Sequence, residues 1–251
     1  MFPSPLVLVL ALGAFIAANP SALVQGRLRC VGSETMAPLL ARWAEAFARR
    51  QPAAVLQIEG RGSESAVRAL LSGTTDIAAL SRPLEESEAK ALRARFGDFL
   101  SLAVGGDTLR LMARVGSSAI RDPSRAALAF RQNLSELRSV GRLPGSGTRR
   151  EAMQMLGLKE PAEGSLDLYS PMAVQLALRA DPRLVGYGSV SRMLSDVRPV
   201  AGPILGRTLF LVVPRRNLSN PIVATFVEFI RSEEGRQIVL ASGFSPLDAA
   251  Q

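Results

Sequence analysis

Residues 31–84 read VGSETMAPLLARWAEAFARRQPAAVLQIEGRGSESAVRALLSGTTDIAALSRPL and decide the fold. Short apolar runs alternate in this stretch with amphipathic segments of helical period. In the first such segment Leu40, Trp43 and Phe47 fall on one helical face, which predicts a helix packed against a core. Short strands that alternate with amphipathic helices are typical of α/β proteins, so the stretch predicts a sheet flanked by helices.

The same alternation continues through the rest of the 251 residues. Strands are predicted at 27–32, 54–60, 76–80, 99–104, 108–115, 137–143, 184–190 and 206–213. Helices are predicted at 35–50, 65–73, 85–95, 171–181 and 220–243, with another that opens at Gly147.

Two lobes are expected from this order of elements, each a mixed sheet flanked by helices. The chain leaves the first lobe (27–106), builds the second (107–202) and returns to the first (203–251), with hinges near Gly105 and Gly202. Proteins of this kind bind ligands in the cleft between the lobes, at the carboxyl ends of strands.

Glycine-serine turns follow three of the predicted strands, and each leads into a predicted helix. The turns are Gly32-Ser33-Glu34-Thr35, Gly62-Ser63 and Gly145-Ser146-Gly147-Thr148. Glycine lets backbone N–H groups approach a ligand, and a helix N-terminus directs unpaired N–H groups to the same point. For one turn alone, helix capping by the serine is the alternative. Three turns, with Ser81-Arg82 ending a further strand and Arg142 ahead of the third turn, favour a site for a small tetrahedral oxyanion.

Composition and motif spacing exclude several classes of function. A nucleotide-binding P-loop places a lysine directly after its second glycine, whereas Thr148 follows Gly147 here. The chain has no histidine, so no catalytic residue, metal or cofactor is predicted, and a hydrolase with Ser146 as nucleophile is the enzymatic alternative. The formal net charge is +8, but the arginines are scattered and only 5% of residues are aromatic, so no nucleic-acid partner is predicted.

The amino terminus carries a targeting signal in our interpretation. About 17 uncharged residues begin at Phe2, and they predict a secretory signal peptide over residues 1–22. No lysine or arginine precedes this stretch, so an uncleaved membrane anchor is the alternative.

Residues 31–84 resemble the amino-terminal half of the periplasmic phosphate-binding proteins of ABC transporters. Later segments resemble further motifs of that family in the same order: GRLPGSGTRREAM from residue 141, LVGYGSVS from residue 184 and FVEFIRSEEGRQIVLASGFSPL from residue 226. The resemblance implies a two-lobe periplasmic binding protein-like fold of type II with a ligand cleft between the lobes. It also implies a periplasmic monomer that captures inorganic phosphate and delivers it to an ABC permease.

The resemblance further implies which residues bind phosphate. The family's ligand positions fall on Ser33, Glu34, Thr35, Ser63, Ser81, Arg82, Arg142, Ser146, Gly147 and Thr148. Some members have an acidic residue at the position of Ser81, which accepts the proton of hydrogen phosphate, and we expect Glu34 to take over that role. Sulfate and molybdate share the tetrahedral shape of phosphate and remain alternatives. A phosphate sensor that is not coupled to transport is the alternative function.

Overall fold

The computed structural model describes residues 23–246. The predicted signal peptide, residues 1–22, lies outside this part of the chain. Within residues 23–246, no helix is both long enough and apolar enough to cross a membrane.

Strands and helices alternate along the described chain, as the sequence pattern predicts. The strands are β1 (Gly26–Gly32), β2 (Ala54–Gly60), β3 (Ile77–Leu80), β4 (Phe99–Arg114), β5 (Arg138–Arg142), β6 (Leu166–Leu168), β7 (Leu184–Ser189) and β8 (Val197–Pro214). The α-helices are α1 (Ala37–Arg50), α2 (Ser63–Ser72), α3 (Glu86–Phe96), α4 (Ser118–Arg121), α5 (Pro123–Leu128), α6 (Gly147–Leu156), α7 (Pro171–Ala180), α8 (Pro221–Arg231) and α9 (Glu233–Ala241). A 3-10 helix covers Arg215–Ser219.

One mixed sheet runs through the described residues in the order β2-β1-β3-β8-β4-β7-β5-β6. At one end β1, β2 and β3 are parallel, and at the other end β5, β6 and β7 are parallel. Between these groups the two long strands β4 and β8 pair with each other antiparallel over most of their length. The predicted mixed α/β architecture is confirmed.

Separate hydrophobic cores lie along the two long strands. Leu102 and Leu209 pack with the core around Trp43, whereas Leu109 and Leu205 pack with the core around Phe130. The strands therefore pass from one core to the other between these positions, at 103–108 on β4 and at 206–208 on β8. The predicted hinge at Gly105 lies within this crossing, whereas Gly202 lies four residues before it on β8, and the lobe boundaries stay a prediction.

The prediction of a single long helix at 220–243 is wrong, because the helix is interrupted at Ser232. Ser232 has an extended backbone (φ −67°, ψ 165°), and its hydroxyl caps α9 by accepting the Gly235 N–H at 3.2 Å. A Cβ atom at Gly235 would overlap the carbonyl oxygens of Phe229 and Ile230 in α8. The amphipathic period continues through the break because both helices face the same core.

The strands predicted at 99–104 and 108–115 are also joined in one strand, β4. Gly105 and Gly106 do not interrupt its pairing with β8, although the register shifts between Ala103 and Gly105. Likewise β8 begins at Val197 rather than at residue 206.

Candidate anion site

Loops at one edge of the sheet bring the predicted site residues together. The loop that holds Ser33, Glu34 and Thr35 follows β1, and Ser81 follows β3. Because β1 and β3 are parallel neighbours, their carboxyl ends lie side by side. Ser63 begins α2, which follows β2 at the same edge.

Three buried serines of the first lobe form a hydroxyl cluster. The Ser33 hydroxyl donates to Ser81 Oγ at 2.9 Å, and Ser63 Oγ lies 3.5 Å from Ser81 Oγ. Ser63 Oγ also accepts the Ser81 N–H at 3.2 Å. Relative exposures of 2%, 0% and 0% for Ser33, Ser63 and Ser81 show that this polar group lies inside the molecule. Buried hydroxyls need hydrogen-bond partners, and an anion can accept from all three.

The start of α6 in the second lobe lies directly against this cluster. Thr148 Oγ1 lies 3.0 Å from Thr35 Oγ1, so one hydroxyl pair spans the cleft. A Cβ atom at Gly147 would overlap Ser63 Oγ and lie 2.8 Å from Ser81 Oγ. Only glycine lets the two loops approach this closely. The N–H groups of Gly147 and Thr148, in the first turn of α6, have no partner within the helix.

Ser146 serves as the N-cap of α6, as the capping alternative predicts. Its Oγ accepts the Arg149 N–H at 3.4 Å. The hydroxyl proton of Ser146 remains free to be donated, so capping and anion binding are compatible.

Arg142 brings a buried cation to the cleft. Its side chain is 2% exposed, and Nε donates to the Leu168 carbonyl at 3.2 Å while Nη2 donates to the Tyr169 carbonyl. Nη2 also lies 3.1 Å from Glu34 Oε2, an ion pair that joins the two lobes. Nη1 is buried and has no hydrogen-bond partner among residues 23–246. A guanidinium with an unused buried donor is suited to an anionic ligand.

Glu34 keeps an unused acceptor in the same place. Its contact with Arg142 has the distance of an ion pair but not the angle of a hydrogen bond, and Oε2 has no donor within the described part of the chain. The Glu34 side chain is 11% exposed. An acceptor and a donor, Glu34 Oε2 and Arg142 Nη1, are therefore both left unused at the cleft.

The guanidinium of Arg82 donates its hydrogen bonds to Glu88 and Pro83 and none to the hydroxyl cluster, within the described part of the chain. Nη1 and Nη2 each donate to a carboxylate oxygen of Glu88 at 2.7 Å, and Nη1 also donates to the Pro83 carbonyl at 2.9 Å. Burial raises the pKa of Glu88, but the hydrogen bonds from Arg82 and from the Glu85 N–H, together with the charges of Arg82 and Arg150, hold that pKa below its usual range. Arg82 as a phosphate ligand stays a prediction.

A further buried cation near the anion site was not predicted from the sequence. Arg207 on β8 donates from Nη1 to Thr148 Oγ1 at 3.1 Å, and its Nε and Nη2 donate to Asp107 Oδ2 at 2.9 and 2.7 Å. Both charged residues lie near the ends of predicted strands, with no glycine-serine turn beside them. Asp107 follows Gly106 and Arg207 follows Gly206 in otherwise apolar strands. These two opposite charges, each next to a glycine, are the sequence signal from which the pair could have been predicted.

A cavity of about 310 Å³ opens beside the hydroxyl pair of Thr35 and Thr148. Glu34, Thr35, Met112, Tyr187 and Ser189 are among the residues that line it. Burial raises the pKa of Tyr187 to about 12, although the hydrogen bond from the Arg142 N–H opposes the rise, so its hydroxyl stays protonated at neutral pH. The cavity beside the site is thus lined by residues of both lobes.

Similar solved structures identify the fold of this chain. An ABC-type phosphate transport receptor from Vibrio cholerae superimposes with a TM-score of 0.69 at 18% identity, covering 88% of this chain and 100% of that chain. A candidate phosphate ABC transporter substrate-binding protein with bound phosphate from Clostridium perfringens gives a TM-score of 0.76 at 20% identity, covering 89% and 100%. The fold is that of the two-lobe periplasmic binding proteins, as predicted.

The chain belongs to the PBP superfamily, because the PBP superfamily domain matches residues 17–164. It is also 25% identical over 281 residues to the phosphate-binding protein PstS of Pseudomonas aeruginosa, covering 90% of this chain and 84% of the relative. These matches confirm the resemblance on which the site prediction rests.

Proposed function

We propose that this protein binds inorganic phosphate in the cleft between its lobes and delivers it to an ABC permease. The unused buried donor of Arg142, whose guanidinium pairs with Glu34 in the same loop as the hydroxyls of Ser33 and Thr35, is the single observation that carries this proposal. The names of the similar proteins support phosphate as the anion and an ABC transporter as the partner. A periplasmic location and a monomeric state belong to the same proposal.

The site supplies the donors that a tetrahedral dianion needs. Ser33, Ser63 and Ser81 provide hydroxyls from the first lobe, while Thr148 and the start of α6 provide a hydroxyl and backbone N–H groups from the second. Arg142 adds the compensating charge. An anion that accepts from both lobes stabilises their closed arrangement, because neither lobe holds the whole donor set.

Glu34 is proposed as the residue that separates phosphate from sulfate. Inorganic phosphate has three ionisable protons and loses only the second near neutral pH, the corresponding pKa being about 6 in its esters. Hydrogen phosphate therefore keeps one proton, whereas sulfate has none to donate. Hydrogen phosphate would donate this proton to the unused Oε2 of Glu34 in a charge-assisted bond. Sulfate has no proton to donate there and would be repelled by the carboxylate.

Binding without turnover is the proposed mode of action. Among the described residues, Ser146 Oγ has a hydrogen bond from the Arg149 N–H, and no side-chain base is hydrogen-bonded to this hydroxyl to activate it as a nucleophile. Glu151 lies one turn further along α6 and is the nearest carboxylate on that helix. Release of phosphate from a chromogenic phosphoester by the purified protein would contradict this proposal.

Titration calorimetry of the purified protein with phosphate, sulfate and molybdate tests the proposal. We expect saturable one-to-one binding of phosphate that is tighter than binding of either other anion. Arg142→Lys should weaken phosphate binding at least tenfold, because lysine keeps the charge but loses the paired donors of guanidinium. Arg125→Lys, at an exposed arginine of α5, is the matched control and should bind like the parent. Absence of phosphate binding by the folded parent would refute the proposal.

A phosphate sensor without transport differs from the proposed function in its partner, not in its site. Reconstitution of the phosphate-loaded protein with an ABC permease in vesicles separates the two functions. Transport and ATP hydrolysis that depend on this protein favour delivery to the permease. Binding without either response favours the sensor.

A further inference from the structure

The buried ion pair of Asp107 and Arg207 lies where the two long strands pass between the cores. The two residues are directly opposite each other in the pairing of β4 with β8. Their side chains are 0% and 1% exposed. Burial of two charges costs desolvation free energy that their attraction does not reliably recover, so stabilisation alone is a weak reason for this pair.

Beyond Asp107, the Arg207 guanidinium has one further hydrogen bond among the described residues, and it is with a residue of the anion site. Its Nη1 donates to Thr148 Oγ1 at 3.1 Å. Thr148 Oγ1 also lies 3.0 Å from Thr35 Oγ1. A hydroxyl that accepts from a guanidinium keeps its own proton to donate. The neighbouring cation also polarises the hydroxyl, which makes it a better donor and a poorer acceptor.

Asp107 holds this guanidinium in a fixed orientation. Nε and Nη2 of Arg207 both donate to Asp107 Oδ2, and Asp107 Oδ1 accepts the Ser189 hydroxyl at 2.5 Å. The carboxylate compensates the charge of Arg207, so the pair adds little net charge to the cleft. Its influence on an anion therefore comes from orientation of Thr148 rather than from long-range attraction.

We propose that Arg207, held by Asp107, is a positioning residue that makes Thr148 a hydrogen-bond donor to the bound anion. This inference rests on the proposed phosphate-binding function. It predicts that the contribution of Arg207 to phosphate binding passes through the Thr148 hydroxyl. A merely structural role of the ion pair would act without that hydroxyl.

A double-mutant cycle with Arg207→Lys and Thr148→Val tests the inference. Lysine retains a positive charge beside Asp107 but cannot reach both partners as a guanidinium does, and valine is close in shape to threonine. Each single variant should bind phosphate about tenfold more weakly, the usual loss for one hydrogen bond to a charged group. The double variant should lose no more than either single variant. Losses that multiply to about a hundredfold would overturn the inference.

Two further measurements keep the test decisive. Thermal unfolding of each variant shows whether the fold is retained. If Arg207→Lys does not fold, the pair of substitutions Asp107→Asn and Arg207→Gln replaces the ion pair by two amides. This pair then takes the place of Arg207→Lys in the cycle with Thr148→Val. Failure of the parent to bind phosphate would refute the proposed function itself, whereas phosphate binding with independent losses would refute only the role of Arg207.

Discussion

Glu34→Gln is the substitution that most directly tests how the site selects its anion. The Glu34 carboxylate lies 3.1 Å from Arg142 Nη2, so any bound anion competes with Glu34 for the same guanidinium. At an effective dielectric constant of about 20, attraction across this distance is about 5 kcal/mol before desolvation is subtracted. Glutamine fills the same volume but removes the charge, which leaves Arg142 free to pair with either dianion.

The expected result is a loss of selectivity rather than a loss of binding. A hydrogen bond to a charged group contributes about 1.5–3 kcal/mol, so losing the proton-accepting carboxylate should lower the phosphate-to-sulfate affinity ratio about 10- to 100-fold. Sulfate binding should become tighter, because an amide can donate to an anion that carries no proton. Titration calorimetry with each anion at constant pH and ionic strength measures both affinities.

Glu45→Gln is the matched control for this experiment. Glu45 lies on the exposed face of α1 in an ion pair with Arg49, and its side chain is 75% exposed. The same chemical change at that position should leave both affinities unaltered. If Glu34→Gln keeps the selectivity ratio of the parent, Glu34 is only a charge near a helix terminus, and discrimination must come from other residues of the cleft.

Three other predictions concern lobe closure and pH. Gly147→Ala should abolish phosphate binding because its methyl group would overlap Ser63 in the closed arrangement, and calorimetry checks this against Gly206→Ala, whose Cβ position is open. Phosphate should reduce the radius of gyration in small-angle scattering, and an unchanged radius despite proven binding would place the whole site in one lobe. Burial raises the pKa of Glu151 above its usual 4.5, although Arg207, Arg82 and Arg150 oppose the rise. The folded state therefore holds this proton more tightly than the unfolded state. The free energy of unfolding should fall as pH rises from the usual 4.5 of the unfolded state through the raised pKa of the folded state. Glu151→Gln should remove this part of the decline, so its melting temperature relative to the parent should increase from pH 4 to pH 7, and an unchanged difference would contradict the shift.

The local pattern of apolar and polar residues is sufficient to predict most of the fold. Strands and helices between β1 and α3 lie within a few residues of their predicted positions because apolar periodicity there agrees with the tertiary packing. Periodicity does not detect the break at Ser232, since α8 and α9 both face the same core. A helix boundary without a change of face leaves only a capping serine as its signal.

The predicted site residues lie close together where they are adjacent in sequence, and their role as ligands stays a prediction. Gly147 and Thr148 follow Ser146 in a single turn, and that turn does lie against the serines of the first lobe. Arg207 was missed because its partners, Asp107 and Thr148, are remote along the chain. The pairing of Arg82 with Glu88 was missed for a different reason: Arg82 lies in the loop after β3 and Glu88 in the first turn of α3, so no regular helical or strand spacing relates them.

The central position of β8 also has a consequence for how the chain folds. β8 pairs with β3 and with β4, so Leu80 meets Phe210 and Asp107 meets Arg207 only after the intervening residues have been synthesised. Such distant pairings have a high contact order, which slows folding because loop-closure entropy is lost before the contacts form. Until β8 arrives, β3 has only β1 and β4 has only β7 as a neighbouring strand. The first lobe is therefore completed last, although its sequence comes first, and both lobes depend on one late strand for their cooperativity.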